Sequence, residues 1–239
     1  ADSGVSSGNT LEKEITLNIA RKLRTTLQAR LGATVLLTRD SDVALSNEAR
    51  AAVANNNQAG FFLSLHIGYS TNKLDSSSSV YVMQDQFAQK FATGAVGDRL
   101  FPPWYLAYRL SYADSLEAAK VLQEELTKSV PGWKFPMRRG PVAVLASATM
   151  PAVVVEVGNL NNPVTTKTLL DNAFQTRLAN TLAAAIERFA ASGGGHGDHR
   201  RSRVWRVSGR HLRWSRPRRR RPGPSSALRS PSEIGRAHV

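Results

Sequence analysis

Residues 151–158 read Pro-Ala-Val-Val-Val-Glu-Val-Gly, and residues 61–66 read Phe-Phe-Leu-Ser-Leu-His. Both runs are short and largely apolar, which is typical of strands that are buried on both faces of a parallel sheet. The first run leads into the carboxylate of Glu156, and the second ends at the imidazole of His66. Because burying such a group is costly unless it is paired or has a function, both side chains are candidates for a functional site.

Outside these two runs, helical and strand-like patterns alternate along the chain. In residues 11–31 apolar side chains recur at every fourth position, which predicts a helix with one buried face, capped by Asn9 and ended by Gly32. Further helices are predicted at residues 47–57 and 111–129, with one or two helices at residues 165–191. Further strands are predicted at residues 33–38, 80–83 and 142–145, in addition to the strand at residues 152–157 within the first run. This alternation predicts an α/β fold with a mostly parallel, twisted sheet that helices cover on both faces.

Charge divides the chain into a body and a tail. Residues 1–192 carry 19 Lys and Arg against 16 Asp and Glu, a net charge of +3, whereas residues 193–239 carry 13 Arg, no Lys and 2 acidic residues. A strongly basic protein often binds nucleic acid, and an Arg-rich arm keeps that alternative open. The nearly balanced body, which has no recognisable nucleic-acid motif, argues against it.

The tail opens with three glycines and carries four consecutive Arg at residues 218–221 among Pro, Ser and Gly. This composition cannot bury a core, so we expect a single domain at residues 1–191 followed by a disordered tail at residues 192–239. Arg without Lys among Gly, Pro and Ser is typical of a GC-rich gene read out of frame, and residues 233–239 match the translation of a common sequencing adapter. We therefore interpret the tail as an artefact rather than a nucleic-acid-binding arm.

Composition also excludes several classes of site. Cysteine is absent, which excludes a disulfide scaffold, a cysteine-ligated zinc site and a cysteine nucleophile. No apolar run reaches the length that a membrane-spanning helix requires, and no signal peptide is visible.

Three side chains are candidates for the chemistry, and each has a structural alternative. His66 is the only histidine in residues 1–192, and it follows a strand, where sites form in α/β sheets but where a purely structural histidine also fits. Glu12 lies in the first turn of the predicted helix, where a carboxylate also complements the helix dipole or completes a capping box. Glu156 suits a general base, although it can also serve as the partner of a buried Arg or of a backbone turn.

Five stretches follow one another over nearly all of residues 1–190. They are residues 8–20 with Glu12, residues 37–39 with Asp42, Arg50 with residues 54–55, residues 64–66 with His66, and residues 150–162 with Glu156. In order and wording they resemble the catalytic domain of the zinc-dependent N-acetylmuramoyl-L-alanine amidases, the type-3 amidase family. Five matches in sequence are far more specific than any one of them.

The resemblance implies a zinc-exopeptidase-like amidase fold with one catalytic zinc ion. It implies that Glu12 and His66 are ligands of Zn²⁺ and that Glu156 is the catalytic carboxylate. The implied reaction is hydrolysis, by a zinc-activated water, of the amide that joins N-acetylmuramic acid to L-alanine in the stem peptide of peptidoglycan. The implied substrate places the protein in the periplasm or the extracellular cell envelope, and it leaves activator proteins unknown.

The chain departs from the family pattern in three places. The family's other zinc-binding histidine lies in an Asp-Pro-Gly-His-Gly-Gly stretch that ends the first strand, and residues 2–4 resemble the positions just after it. We therefore expect the domain to lack that strand and that histidine, and the chain as written to hold zinc poorly and to be inactive. Gly68 and Asn159 stand where the family usually has Asn and Phe.

Several interpretations stay open at this level. Residues 84–110, which are rich in aromatic side chains, either line a glycan groove, cover the site or belong to the core. The adjacent Arg138 and Arg139 either bind a carboxylate of the stem peptide or form an ordinary solvated pair. The whole chain is alternatively a non-catalytic peptidoglycan-binding relative, or another zinc peptidase on the same scaffold.

Overall fold

In the computed structural model, the described residues are 6–7, 10–76, 78–84, 104–193, 205–208 and 211–214. Strands β1 (Ser6–Ser7) and β2 (Thr10–Leu11) form a short antiparallel pair ahead of the first helix. The larger elements, in chain order, are α1 (Glu12–Leu31), α2 (Asn47–Asn56), β3 (Phe62–Gly68), β4 (Ser79–Met83), a 3₁₀ helix (Trp104–Ser111), α3 (Tyr112–Ser129), β5 (Met137–Gly140), α4 (Ala143–Ala146), β6 (Ala152–Asn159), α5 (Pro163–Leu170) and α6 (Asn172–Ala191).

Strands β3, β6, β4 and β5 form one sheet, in that order. The β3–β6 and β4–β5 pairs are parallel, and the β6–β4 pair is antiparallel. Two of the three neighbouring pairs are therefore parallel, which confirms the prediction of a mostly parallel α/β sheet. The two apolar runs that predicted this fold are β3 and β6, and they lie side by side at its centre and edge.

Helices α1, α3 and α6 cover one face of the sheet. Their apolar side chains meet those of the strands in the larger core, which contains Ile19, Leu122, Val155 and Leu182. Each fully buried Leu, Ile or Val of this kind stabilises the fold by about 1.5–3 kcal/mol. Helix α1 enters this core through every fourth residue, as its sequence pattern predicts.

The two ends of α1 differ in how well the sequence predicts them. Gly32 ends the helix in the left-handed conformation, with φ of 59°, as predicted. The predicted cap is wrong, because Leu11 occupies the capping position and offers no side-chain hydrogen bond. Asn9 itself lies outside the described residues. The antiparallel pairing of Leu11 in β2 fixes the entry of the chain into the helix instead.

The second face of the sheet is covered by shorter elements, namely α2, the 3₁₀ helix and α4. They form a smaller core in which Leu106, Leu145 and Val154 are buried together. Helices therefore cover both faces, as predicted. This matters for the site, because the polar side chains on this second face lie at the ends of the strands, beyond the apolar packing.

Three local predictions are wrong. Residues 33–38 are extended but belong to no strand, and among the described residues their backbone makes no hydrogen bond to a neighbouring strand. Residues 142–145 fall largely in helix α4, because a short buried apolar run does not distinguish a strand from a helical turn. The strand β5, with the polar sequence Met-Arg-Arg-Gly, carries no apolar signal and was not predicted. The helical pattern over residues 165–191 corresponds to two helices, α5 and α6. They meet at Asp171, whose side chain caps the start of α6.

The tail is described only at β7 (Trp205–Ser208) and β8 (His211–Trp214), which pair in antiparallel fashion. The predicted disorder of the tail stays a prediction. The domain boundary near residue 191 stays a prediction, although α6 ends at Ala191. Among the helices within the described ranges, none has both the length and the apolar character needed to cross a membrane.

Candidate active site

The site lies where β3 and β6 end at the same edge of the sheet. His66 and Glu156 are Cα partners in the parallel register of these strands. Both strands are largely apolar, and His66 and Glu156 lie toward their carboxyl ends, so the fold brings these two side chains together at a position where α/β sheets form sites. The structure thus places the predicted histidine and the predicted catalytic carboxylate next to each other.

Glu12, the first residue of α1, completes the cluster from the side. Its Oε1 lies 3.0 Å from Nδ1 of His66 and accepts a hydrogen bond of 3.2 Å from the backbone N–H of Ile67. The side chain of Glu12 is 11% exposed, whereas that of His66 is 43% exposed. A buried carboxylate thus orients a ring that faces solvent, and the predicted ligand pair is brought within bonding distance of one point.

The other ring nitrogen of His66 also has a partner. Its Nε2 lies 3.1 Å from Oγ of Ser64, which is two residues earlier on the same face of β3. Sequence reasoning missed Ser64 as a site residue. The sequence did contain a signal for it, namely a polar residue inside an apolar run. Ser64 lies two positions before His66, a spacing that places both side chains on the same face of a strand.

A tyrosine stands beside the second carboxylate. Strand β4 pairs Ser79 with Glu156 and Tyr81 with Val154, so both β4 side chains share the face of Glu156. Burial, reinforced by the negative charge of Glu156, raises the pKa of the Tyr81 phenol. Tyr81 therefore keeps its proton at neutral pH and can donate it in a hydrogen bond to the carboxylate. Tyr81 and Ser79 were also missed, because their alternation in a five-residue strand is too short to indicate a site.

The start of α1 is held in place by the segment that follows residue 38. Nη2 of Arg39 donates to the backbone oxygen of Lys13 at 2.6 Å, and Nζ of Lys13 lies 2.7 Å from Oδ2 of Asp42. These contacts fix the first turn of the helix, and with it the carboxylate of Glu12. The motif formed by Arg39 and Asp42 thus positions a site residue without belonging to the site.

The family model described as N-acetylmuramoyl-L-alanine amidase, Amidase_3, matches residues 1–188. The chain belongs to this amidase family. Among curated relatives, the amidase AmiC of Escherichia coli O6:H1 is 29% identical over 211 residues, which cover 80% of this chain and 51% of AmiC. The germination-specific amidase of Bacillus subtilis is 26% identical over 203 residues, which cover 79% of this chain and 74% of that protein. The chain spans about half the length of the AmiC relatives that it matches.

Solved amidase structures share the fold. The catalytic domain of CwlV from Bacillus (Paenibacillus) polymyxa is 26% identical, has a TM-score of 0.63, and is matched over 95% of its length by 80% of this chain. AmiC2 of Nostoc punctiforme, at 22% identity, also gives a TM-score of 0.63, with 80% of this chain matching 91% of that one. Together with the family match, these likenesses confirm the resemblance and the fold class that the sequence predicted.

The two departures from the amidase pattern have local explanations. A Cβ on Gly68 would lie 2.9 Å from the backbone oxygen of Gly158, so the family's Asn has no room there. Asn159 is almost fully buried, and its side-chain oxygen accepts hydrogen bonds from the backbone N–H groups of Ser70 and Asn161. In this chain Asn159 therefore holds the loop after β3 by polar contacts, at a position where an apolar Phe is usual in the family.

A long groove opens beside the amidase site. It has a volume of about 910 Å³, lies between α1, β3 and residues 33–39, and runs from Glu12 and His66 to Phe189. Most of its lining is apolar. Among the described residues, neither the outer edge of β3 nor the extended segment 33–38 has a strand partner. The groove is thus lined by β3 and by residues 33–38, two stretches without a strand partner in that part of the chain.

Amidases of this family are generally zinc-dependent, so the donor set was tested against zinc. A catalytic zinc takes three protein ligands and keeps one position for water. Glu12 and His66 offer an oxygen and a nitrogen of the types that zinc prefers. Within the described ranges, however, no group of three His, Cys, Asp or Glu side chains is close enough to hold a metal ion. Among the described residues, Glu12 and His66 are therefore two candidate ligands, one fewer than a catalytic zinc takes.

Proposed function

We propose that this chain forms most of the catalytic domain of a peptidoglycan hydrolase, which cleaves the amide between N-acetylmuramic acid and L-alanine of the stem peptide. The observation that carries the proposal is the meeting of Glu12, His66 and Glu156 at one edge of the sheet. This arrangement lies in a chain that belongs to an amidase family. The activity is a proposal, because the chain spans only about half of the AmiC relatives.

The three side chains take the roles that the resemblance implies. Glu12 and His66 serve as two ligands of one Zn²⁺, and Glu156 serves as the general base. When bound, the metal lowers the pKa of a water molecule and polarises the scissile carbonyl. Glu156 takes a proton from the attacking water and passes it to the leaving amine, a role that contributes roughly a hundred- to ten-thousandfold in rate.

Neighbouring residues hold each of these three groups in the position that its proposed role requires. The N–H of Ile67 and the start of α1 hold Glu12 in place, so the carboxylate does not need to reorganise when it binds a cation. Ser64 faces one nitrogen of His66 and Glu12 the other, which restricts rotation of the ring. Tyr81 donates to Glu156 and orients its carboxylate toward the site.

The third zinc ligand is, in this proposal, a histidine on a further strand that fills the groove. Its support is the groove itself, which is lined by β3 and by residues 33–39 and includes Glu12 and His66. A strand between them would satisfy the hydrogen-bonding groups on both sides, since neighbouring strands lie about 4.8 Å apart. It would also remove an apolar surface from water and carry its last side chain to the two ligands.

Zinc titration of residues 1–193 tests this proposal. With only two ligands the chain should bind less than one zinc ion per molecule at micromolar concentrations and should not cleave peptidoglycan. Adding the family-type segment ahead of residue 1 should raise zinc binding to one ion and produce amidase activity. Stoichiometric zinc and measurable cleavage by residues 1–193 alone would contradict the incomplete ligand set.

One observation favours a second function, a peptidoglycan-binding relative without catalysis. It is that the described residues hold no third metal ligand. The same experiment separates the two, because a binding protein would pull down peptidoglycan yet stay inactive after the segment is added. For either function we propose a location in the cell envelope, where peptidoglycan lies.

A further inference from the structure

Strand β5 carries two neighbouring arginines that the structure places on opposite faces of the sheet. Arg138 is the Cα partner of Tyr81, and Arg139 is the Cα partner of Val82. Side chains alternate along a strand, and partners in register share a face. Arg138 therefore lies on the face that carries His66 and Glu156, whereas Arg139 lies on the other.

The guanidinium of Arg138 is held toward the site. Its Nε donates a hydrogen bond of 2.9 Å to Oγ of Ser79, a side chain that is almost fully buried and whose Cα partner is Glu156. The side chain thus reaches across β4 and ends about one strand spacing, roughly 5 Å, from the strand of Glu156. An arginine that is only solvated at the surface does not require a hydrogen bond to a buried side chain.

The two terminal nitrogens of this guanidinium, Nη1 and Nη2, remain available for a ligand. Within the described ranges no carboxylate forms an ion pair with Arg138. The only hydrogen bond of its side chain there is the one that Nε donates to Ser79. The two Nη groups are left as parallel donors, a geometry that matches both oxygens of a carboxylate. Among the described residues, Glu156 is an acidic group on the same face, and in the proposed function it is needed for proton transfer.

The order of groups across the sheet gives the direction of the substrate. Glu12 and His66 lie at β3, Glu156 at β6, and the anchored guanidinium at β4 and beyond. The carbonyl of the scissile amide faces the ligand side, and its amine faces the proton donor, Glu156. The peptide that leaves with the amine therefore continues toward β4 and Arg138.

We propose that Arg138 binds a free carboxylate of the departing peptide, on the residue next to the one whose amine is released. This inference rests on the proposed function. A peptide residue spans about 3.3–3.6 Å, so a group roughly 5 Å beyond the amine belongs to the first or second residue. The backbone carboxyl of the first residue is part of a peptide bond, so the carboxylate that Arg138 binds is one that the second residue carries in addition to the carboxyl of its own peptide bond. The protein then prefers peptides with an acid at that position over peptides with an amide.

Binding of two muramyl tripeptides to the 239-residue chain tests the proposal. The second residue of one carries a free carboxylate, and that of the other carries a carboxamide. Isothermal titration is carried out with a chelator present, so that no turnover occurs. The chain should bind the acid about tenfold more tightly than the amide, because a hydrogen bond to a charged group contributes more than a neutral one.

Three variants define the role of the side chain. Arg138→Gln should lose the preference for the acid, with unchanged affinity for the amide. Arg138→Lys should keep part of the preference, since it retains the charge but not the two parallel donors. Arg139→Gln, the matched control on the other face, should bind like the unchanged protein.

Two results would overturn the proposal. One is an equal affinity of the unchanged chain for the acid and the amide. The other is an equal loss of affinity for both tripeptides in Arg138→Gln, which would show that the arginine only supports β4. Failure of the proposed function is seen separately, as the absence of cleavage by the zinc-loaded protein with the added segment. That result does not depend on the charge of the second residue.

Discussion

The two halves of the candidate site differ in how completely the described chain surrounds them. Glu156 lies on β6, which has a strand on each side, and Tyr81 and Ser79 stand beside it on β4. His66 lies on β3, whose outer edge faces the groove, and its contacts come from Glu12 and Ser64 alone among the described residues. Within the described ranges, the surroundings of Glu156 are thus closed on both sides by strands, whereas those of His66 are open toward the groove.

The largest expected effect concerns the half around Glu156. In the zinc-loaded, active protein, Glu156→Gln should lower the cleavage rate at least a hundredfold, because the amide cannot accept the proton of the attacking water. Zinc content should not change, since the variant leaves Glu12 and His66 in place. Peptidoglycan dye release and metal analysis measure the two effects. Glu187→Gln, an exposed change on α6 at an ion pair with Arg30, is the control and should retain full activity. Near-normal turnover of Glu156→Gln would remove its proposed role.

A matched pair of core positions tests the difference in packing. Leu65 and Val155 are Cα partners on the same face, but Val155 is fully buried, whereas Leu65 is partly exposed and lines the groove. Val155→Ala should lower the free energy of unfolding by about 2 kcal/mol through the cavity that it leaves. Leu65→Ala should cost less, although it removes more atoms. Urea unfolding of residues 1–193 measures both, and a larger loss for Leu65→Ala would contradict the open character of the groove side.

A third test concerns how the helix bearing Glu12 is held. Arg39→Ala should lower the free energy of unfolding by about 1–2 kcal/mol, because the buried carbonyl of Lys13 loses a charged hydrogen-bond donor. Burial, and then the charge of Arg50, lower the pKa of Arg39, but it stays protonated at neutral pH. This variant should also bind zinc more weakly than the unchanged chain. Unchanged unfolding and unchanged zinc affinity would show that the segment after residue 38 does not position Glu12.

The smallest effect is a dependence on pH at the same segment. Hydrogen bonds from Arg21 and then Arg24 hold the pKa of Asp40 below its usual range. A carboxyl whose pKa is depressed by folding stabilises the protein above its unfolded pKa, and this contribution is lost as the pH falls through the folded pKa. Asp40→Asn should therefore be less stable than the unchanged chain at pH 7 and equally stable in acid, by thermal unfolding. A difference that persists at pH 2 would exclude this ion pair as its cause.

The sequence predicted the parts of the molecule in which the local pattern and the tertiary context agree. Apolar runs placed β3 and β6, and their terminal polar residues placed His66 and Glu156, because a sheet edge brings strand ends together whatever the loops do. Glu12 was identified by resemblance, since its local pattern fits an ordinary helix start equally well. The prediction that it meets His66 needed the fold.

Other parts depend on partners that a local pattern does not contain. Residues 33–38 have the composition of a strand, but a strand also needs a neighbour, and none is present among the described residues. Strand β5 has no apolar pattern, because it lies at the edge of the sheet and only Met137 among its side chains packs against the core. Its arginines looked like one solvated pair in the sequence, and only the register with β4 separates Arg138 from Arg139.

In the part of the chain that the structure describes, one edge of β3 has no strand partner, and this has a practical consequence for work with the polypeptide. A strand with one unpaired edge, next to an apolar groove, is a template onto which a strand of another molecule can add. The chain as written should therefore form oligomers at high concentration, through a contact that has no biological role. Light scattering would detect this association, and a peptide that occupies the groove would suppress it.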